Sequence, residues 1–197
     1  AILVIGPKEG LKTVSSSFIM ITNTPEFGDN GVFIYSDGGV IPNPTALQLA
    51  DIAISSAEKA RLTAGIKEPK VAFLSFSTKG SADGESVTKV REAIEILKER
   101  NVDFDFDGEL QLDAAIVPEV AASKAPGSKV AGYANVLIFP DLNSGNIVYK
   151  LTQRLAKAKA LGPLIQGLAS PVHDLSRGCS LDDIVEVVAR TAVESEH

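Results

Sequence analysis

The segment DLSRGCSLDDIV, residues 174–185, brings hydroxyl, guanidinium and carboxylate groups together directly before an apolar-periodic run. Ser180 and Asp183 have the spacing of a capping box in an acidic variant, which is typical of a helix start. The pattern predicts a helix over Leu181–Glu194, and its apolar period predicts a buried stripe of Ile184, Val185, Val188 and Ala192. Capping explains the serine and the acidic first turn, but it leaves Arg177 unexplained.

Arg177 indicates an anion at this helix N-terminus, because a cation just before a helix start is otherwise electrostatically unfavourable. Phosphate suits the position, since an arginine and a helix N-terminus both attract it. Ser176 lies beside the arginine in the chain, and Asp183 follows inside the first helical turn. A hydroxyl that orients a nucleophile, a guanidinium that neutralises charge and a carboxylate that takes a proton together suit acyl or phosphoryl transfer.

A second candidate site lies in PDLNSGNIVYKLTQR, where a buried strand leads into a helix predicted over residues 146–160. Small polar residues stand at the helix start, and two basic residues recur four positions apart. Together they could hold an anion or a nucleotide tail. The residues concerned are Ser144, Gly145, Asn146, Lys150 and Arg154. A serine or asparagine N-cap and a solvated basic face explain the same pattern, so both interpretations stay open.

Three further motifs have local explanations. The loop STKGSADGES, residues 77–86, could cradle a phosphate on backbone N–H groups, but it lacks the order of a P-loop, and a flexible strand-to-helix loop is favoured. EFGDNG, residues 26–31, could place an aspartate and an asparagine near a ligand, but a hairpin turn is favoured. His173 and Cys179 have no further Cys or His at zinc spacing, so no metal site is predicted.

Apolar runs alternate with amphipathic runs along the chain, which is typical of an α/β layered fold with a largely parallel sheet. The predicted strands are Ser17–Ile21, Val32–Tyr35, Val71–Phe76, Phe104–Asp107, Ala134–Phe139 and Leu164–Leu168. Besides the helices named above, the pattern predicts helices after Thr45, over 86–100 and over 111–120, the last disturbed by Pro118. Ligands in such folds collect where strand carboxyl ends meet helix N-termini.

Composition limits the function classes. The chain has 197 residues and a formal net charge of −6, which argues against a nucleic-acid surface because such surfaces are basic. A single cysteine favours a reducing compartment, with the cytoplasm as the default. No apolar run approaches the roughly 20 residues that span a bilayer, so no membrane partner is expected. The start, AILVIGPKEG, lacks an initiator Met and resembles a strand already under way, so we expect the chain to begin inside a larger protein.

The segment DLSRGCSLDDIV closely resembles the C-terminal motif of the phosphate acetyltransferase, or phosphotransacetylase, family. Further segments resemble the same family in its order: FGDNGVF, LSFSTKGS, DGELQLDAAIVPEVA and ANVLIFPDLNSGNIVYKLTQRLA. The resemblance implies cytoplasmic homodimers that interconvert acetyl-CoA plus phosphate with acetyl phosphate plus CoA. It also implies two three-layer α/β/α domains that flank a cleft, with a mostly parallel sheet and an isocitrate dehydrogenase-like fold.

The resemblance also implies roles for the residues of the motif. Asp183 corresponds to the base that deprotonates the CoA thiol, and Ser176 to a serine near the thiol and the reacting carbonyl. Arg177 corresponds to an arginine that binds phosphate and stabilises the transition state. The thiolate then attacks the acetyl carbonyl directly in a ternary complex, so CoA is a substrate and no cofactor is expected. Cys179 is then a packing residue beside the site.

By the same resemblance, residues 12–163 correspond to the second domain of the family. Residues 1–11 and 164–197 correspond to the segment that completes the first domain, most of which is absent from this chain. The rival interpretations are a phosphate butyryltransferase, a regulatory phosphotransacetylase-like domain appended to a malic enzyme, and a dimerisation and binding module.

Overall fold

The structure is a computed structural model that describes residues 2–175 and 178–196. Its strands are β1 (Ser15–Ile21), β2 (Val32–Ser36), β3 (Lys70–Leu74), β4 (Asp105–Leu110), β5 (Val136–Ile138) and β6 (Lys159–Gln166). Its helices are α1 (Ile2–Ile5), α2 (Ala46–Leu62), α3 (Glu85–Glu99), α4 (Leu112–Ile116), α5 (Pro118–Lys124), α6 (Leu142–Leu155) and α7 (Leu181–Glu194).

The strands form one six-stranded mixed sheet in the order β4-β3-β5-β2-β1-β6. The pairs β4–β3, β3–β5 and β5–β2 are parallel, whereas β1 pairs antiparallel with β2 and β6. The predicted α/β fold with a mostly parallel sheet is confirmed. Strand β6 starts earlier than the predicted strand over 164–168, because Lys159 and Ala160 already pair with β1. Pro163 is tolerated inside β6 because β6 is an edge strand.

Successive side chains of each strand point to opposite faces of the sheet, so the core is divided between two helix layers. In β1, Phe18 and Met20 face one layer while Ile19 faces the other, as the two-residue period of a strand requires. The layer on the Ile19 side contains buried residues of α2 and α3, and the layer on the Phe18 side contains those of α4 and α5 together with half-buried residues of α6. Helices therefore cover both faces of the sheet. Within the described ranges, none of them is long and apolar enough to cross a bilayer.

Helix starts follow capping chemistry, and one of them differs from the prediction. The helix predicted after Thr45 is confirmed, and Thr45 caps it in a full capping box with Gln48. Pro118 separates α4 from α5 and occupies the first turn of α5, where its missing N–H leaves no helix bond unmade. Helix α6 begins at Leu142 and not near 146, because the Asp141 carboxylate accepts a hydrogen bond from the Ser144 N–H at 2.8 Å. This N-cap precedes the one that the sequence pattern favoured.

A buried carboxylate, Asp37, organises the turn after β2. It accepts hydrogen bonds from the N–H and hydroxyl of Ser16 and from the N–H groups of residues 39–41. Successive N–H groups aimed at one carboxylate form an anion-binding nest, which compensates the cost of burying the charge. Helix α6 docks on this turn, where Asn146 Nδ2 donates to the Gly38 carbonyl at 2.9 Å.

Helix α7 leaves its apolar face exposed, so the predicted buried stripe is wrong. Val185 and Val188 are 59% and 62% exposed, and Ile184 and Ala192 are exposed as well. Val187, on a different side of the helix, is the residue that reaches the core. The physical reason is that α7 lies against the edge strand β6, and no element of the described chain covers the opposite side.

Buried charges anchor the C-terminal end of α7. Glu194 forms an ion pair with Lys59 of α2, and His173 Nε2 lies 3.2 Å from Glu194 Oε1. His173 Nδ1 accepts a hydrogen bond from the Ile165 N–H at 3.2 Å. Burial lowers the pKa of Lys59, against the opposing effect of Glu194. Burial would raise the pKa of Glu194, but His173 and Lys59 together lower it.

We predict that Gly145→Ala destabilises the fold, although alanine normally favours a helix interior over glycine. A Cβ at Gly145 would lie 2.0 Å from the Asp37 carbonyl oxygen, which is a backbone atom and cannot rotate away. The expected loss is about 1–3 kcal/mol of unfolding free energy, measured by chemical denaturation. Asn143→Ala, at an exposed position in the first turn of α6, is the matched control and should change the value by less than about 0.5 kcal/mol. Equal stability of Gly145→Ala and the unmodified chain would contradict this docking geometry.

Candidate active site

A cavity of about 110 Å³ lies where β1, β6, α6 and the start of α7 meet. Its lining is apolar toward the sheet, while α6, α7 and the turn before α7 supply polar and titratable side chains. Those side chains are Tyr149, Gln153, Arg154, Cys179 and Asp183. The structure therefore brings a carboxylate of the C-terminal motif together with a cation of the second candidate site, although the two belong to separate helices.

The Asp183 carboxylate both caps α7 and lines the cavity. The N–H and hydroxyl of Ser180 donate to Asp183 Oδ2 at 2.8 and 2.9 Å, and the Asp183 N–H donates to the Ser180 hydroxyl at 3.2 Å. The predicted capping box is confirmed. The bonds from Ser180, aided by the positive charge of Lys159, lower the pKa of Asp183. The capping bonds to the carboxylate use Oδ2, so Oδ1 is not part of the capping box.

Ser176 and Arg177, the other two predicted catalytic residues, lie outside the described residues. Leu175 and Gly178, which flank them in the chain, both line the cavity. The backbone on each side of the pair therefore meets the cavity that Asp183 borders. The roles of Ser176 and Arg177 stay predictions.

The second candidate site is divided between two places. Arg154, in the last turn of α6, lines the cavity. The other four residues instead make contacts within the helix or with the turn after β2. Ser144 bonds within the helix start, Lys150 Nζ donates to Asn146 Oδ1 at 2.8 Å, and Gly145 is buried against the turn after β2. Substrate binding by these four residues stays a prediction, as it does for Arg154.

The β3–α3 loop does hold an anion, but that anion is the side chain of Glu109. This residue is 3% exposed, and its Oε1 accepts from the Gly80 N–H at 2.8 Å and from the Ser77 hydroxyl at 2.9 Å. Arg91 donates to both carboxylate oxygens at 3.0 and 3.2 Å. Burial would raise the pKa of Glu109, but Arg91 and the loop donors outweigh it and lower the pKa to about 2. An internal carboxylate thus occupies the position that a phosphate would need, which favours the structural interpretation of this loop.

The hairpin turn predicted for EFGDNG, residues 26–31, is confirmed. Asp29 and Val32 exchange two backbone hydrogen bonds of 3.0 Å, and Asn30 and Gly31 between them have φ angles of 51° and 84°. Positive φ at both central positions is the geometry that suits Asn-Gly. As for metals, residues 2–175 and 178–196 contain no cluster of three His, Cys, Asp or Glu side chains that could hold an ion.

Sequence reasoning missed an aromatic pair in the wall of the cavity. Phe18 of β1 stacks on Tyr149 of α6 with ring centroids 3.9 Å apart and an interplanar angle of 16°. Partial burial raises the pKa of the half-buried Tyr149. Phe18 lies in an apolar strand and Tyr149 on an amphipathic helix, so each matches an ordinary core pattern. Their contact in the structure identifies them as a pair. Because that contact joins distant parts of the chain, no short sequence pattern shows it.

Comparison with known proteins gives one consistent result. The family model described as "Phosphate acetyl/butaryl transferase" matches residues 1–192. A phosphate acetyltransferase of Thermoanaerobacterium thermosaccharolyticum is 59% identical over 196 residues, covering 100% of this chain and 60% of the relative. One from Clostridium acetobutylicum is 58% identical over 193 residues, covering 98% of this chain and 58% of the relative.

The comparison of structures agrees with the comparison of sequences. A crystal structure of a phosphotransacetylase from Streptococcus pyogenes superposes with a TM-score of 0.91 at 47% identity, covering 98% of this chain and 57% of that chain. The chain therefore spans roughly three fifths of the length of the proteins it matches.

We predict that Glu109→Gln lowers the unfolding free energy at pH 7 by about 1–3 kcal/mol, because charged hydrogen bonds to Arg91 become neutral ones. The folded pKa of about 2 lies below the ordinary value of 4.5, so this stabilisation is complete above pH 4.5 and is lost as the pH falls toward 2. Denaturation curves at several pH values should show the difference between variant and unmodified chain shrinking over that window. Glu95→Gln, at an exposed glutamate paired with Lys98, is the control. A difference that stays constant down to pH 3 would contradict the assignment.

Proposed function

Because the chain belongs to the phosphate acetyl/butaryl transferase family, we propose that it is the C-terminal portion of a longer phosphate acetyltransferase. The reaction interconverts acetyl-CoA plus phosphate with acetyl phosphate plus CoA. One observation carries the proposal: Asp183 of the C-terminal motif and Arg154 of α6 border the same cavity. In this reaction a thiol, an acyl group and a phosphate must come together at one place. A carboxylate there can accept the thiol proton, and a cation there can bind the phosphate. Relatives named phosphate acetyltransferase that match nearly the whole chain add support.

Asp183 is assigned as the base that takes the proton of the CoA thiol. Its ordinary pKa already lies well below 7 and is lowered further here, so the carboxylate is ionised at neutral pH and can accept a proton, as a weaker base than an unperturbed aspartate. A thiol has an ordinary pKa of about 8.5, so complete deprotonation ahead of the reaction is unfavourable. The proton therefore moves to Asp183 as the sulfur attacks the carbonyl carbon of acetyl phosphate. The C–S bond forms, the C–O bond to phosphate breaks, and phosphate leaves with that electron pair, without an acyl-enzyme.

The cationic groups act on the phosphate side of the reacting acyl group. Arg177 is assigned to bind phosphate and to stabilise the charge that develops in the transition state. Ser176 is assigned to hold the thiol and the carbonyl, and the N-terminus of α7 adds partial positive charge. Arg154, exposed at the cavity, supplies a further cation for the anionic substrates. CoA and acetyl-CoA are substrates in this scheme, and no separate cofactor is proposed.

Residues 12–163 are assigned to the second domain of the enzyme, and residues 1–11 and 164–197 to the segment that completes its first domain. The exposed apolar face of α7 supports this division, because an amphipathic helix normally buries that face. The chain spans 58% to 60% of the two relatives described above, which leaves room in the longer protein for the part that would cover α7.

The enzyme is proposed to be a homodimer. Helix α6 carries an apolar stripe of Ile147, Leu151 and Leu155, which share one face and are each more than half exposed. The stripe lies within residues 12–163, which are assigned to the second domain, and dimerisation is proposed to run through that domain. A second copy of the protein is the occupant that we assign to it.

A cytoplasmic location is proposed, since a single cysteine suits a reducing compartment. The family description covers butyryl as well as acetyl transfer, so a phosphate butyryltransferase is the rival enzyme. A non-catalytic dimerisation or regulatory module is the rival from another functional class.

We predict that Asp183→Asn in the complete protein lowers the rate of acetyl-CoA formation from acetyl phosphate and CoA by about 10²–10⁴-fold, because the base is lost while the side chain keeps its size. Arg177→Ala should reduce the same rate through loss of phosphate binding and charge stabilisation. Asp182→Asn, at the neighbouring exposed carboxylate in the same helix turn, should retain the unmodified rate.

The same assay separates the rivals. Wild-type rates in both Asp183→Asn and Arg177→Ala would show that the assigned roles are wrong. A higher rate with butyryl phosphate than with acetyl phosphate would favour the butyryltransferase, and no turnover of either substrate by the complete protein would favour the non-catalytic module.

We predict that Leu151→Glu shifts the complete protein from dimer toward monomer in light scattering coupled to size-exclusion chromatography, because it places a charge in the centre of the α6 stripe. Thr88→Glu, at an exposed position of α3, adds the same single negative charge outside the stripe and should leave the mass unchanged. A Leu151→Glu variant with the unmodified mass would exclude this face as the dimer interface.

A further inference from the structure

We propose that Phe18, held rigidly against Tyr149, sets the length of the acyl chain that the site accepts. This inference rests on the acyltransferase function proposed above and assigns the cavity of about 110 Å³ to the acyl group. The observations that carry it are the rigidity of the aromatic wall, the apolar character of the side of the cavity on which that wall lies, and the size of the cavity.

Phe18 cannot move aside easily, because its ring lies in a slot between two glycines. A Cβ at Gly38 would lie 2.8 Å from the Phe18 ring, and a Cβ at Gly162 would lie 2.9 Å from it. Tyr149 stacks on the ring at 3.9 Å between centroids, and Phe18 is 5% exposed. A buried ring fixed by close backbone and by a stacked partner forms a wall that does not yield to a longer ligand.

The cavity is apolar on the side where Phe18 lies. The apolar residues in its lining are Phe18, Ala160, Leu161, Pro163, Leu175 and Val187. Arg154 is exposed and Asp183 partly exposed, so the charged groups lie nearer to solvent than the aromatic ring. A phosphate or the amide-rich arm of CoA would lose hydrogen bonds to water beside such a wall, whereas the methyl end of an acyl group would not. The acyl group is therefore the part of the substrates that fits this lining.

The size of the cavity limits that group to a short chain. An apolar cavity of about 150 Å³ is known to admit benzene. The cavity of about 110 Å³ is smaller than that one. It has room for an acetyl group, whereas a butyryl group approaches the largest size that it can hold. One methylene too many in an apolar pocket changes transition-state binding by about 10–200-fold, so a rigid ring at this position is sufficient to discriminate acyl chains.

The test compares acetyl phosphate and butyryl phosphate as substrates of the complete protein with CoA. Phe18→Ala should raise the ratio of kcat/KM for butyryl over acetyl phosphate at least tenfold, because it opens the wall at the end of the chain. Phe18→Leu should raise it less, and it serves as the readout if the alanine variant does not fold. Phe33→Ala is the matched control, since Phe33 is buried in the same core layer but is not among the residues of the described chain that line the cavity. Its ratio should stay at the wild-type value.

The outcomes distinguish the two proposals. A wild-type protein that is active on acetyl phosphate, with folded Phe18 variants that keep the wild-type ratio, would overturn the chain-length role and leave the proposed function intact. An equal change of ratio in Phe33→Ala would also overturn it, because the effect would then follow from general loosening of the core. A complete protein that turns over neither substrate would remove the proposed function and this inference with it.

Discussion

The candidate site depends on the buried carboxylate of Asp37. Taking a charge out of water is unfavourable, and it is offset here by Ser16 of β1 and by the successive N–H groups of residues 39–41. The turn that results presents Gly38, whose carbonyl holds α6 and whose missing side chain leaves space for the Phe18 ring. The strand, the turn and the helix that border the cavity are therefore held in register by one anion that takes no part in the proposed chemistry.

Local rules predicted much of the fold because caps and turns depend on near neighbours. The Thr45 cap, the Asn30-Gly31 turn and the capping box at α7 each follow from hydrogen bonds within a few residues. The start of α6 was misplaced because two adequate caps compete there, and Asp141 precedes the one that the pattern favoured. The stripe on α7 was wrong for another reason. Periodicity identifies an apolar face but does not say which element covers it.

For the site, too, the features that depend on neighbouring residues could be predicted, and those that depend on contacts between distant elements could not. The motif around Asp183 is contiguous, so its chemistry could be predicted from spacing and from a family resemblance. Its meeting with Arg154, and the wall formed by Phe18 and Tyr149, depend on how β1, α6 and α7 pack, which no short pattern contains. The β3–α3 loop illustrates a limit of pattern reasoning. Its N–H groups do bind an anion, but Glu109 of the same chain supplies it.

Helix α7 is held along its length and not only at its last turn. Glu194 pairs with Lys59, Glu186 pairs with Lys159, and Val187 packs in the core. Asp183 lies four residues before Val187, about 6 Å along the axis at 1.5 Å per residue, so a tilt of about 10° about Val187 displaces its carboxylate by about 1 Å. Misplacement by about 1 Å can cost a reaction a hundredfold in rate. Contacts that hold the first turn of this helix in place would therefore raise the reaction rate even if they touch no substrate.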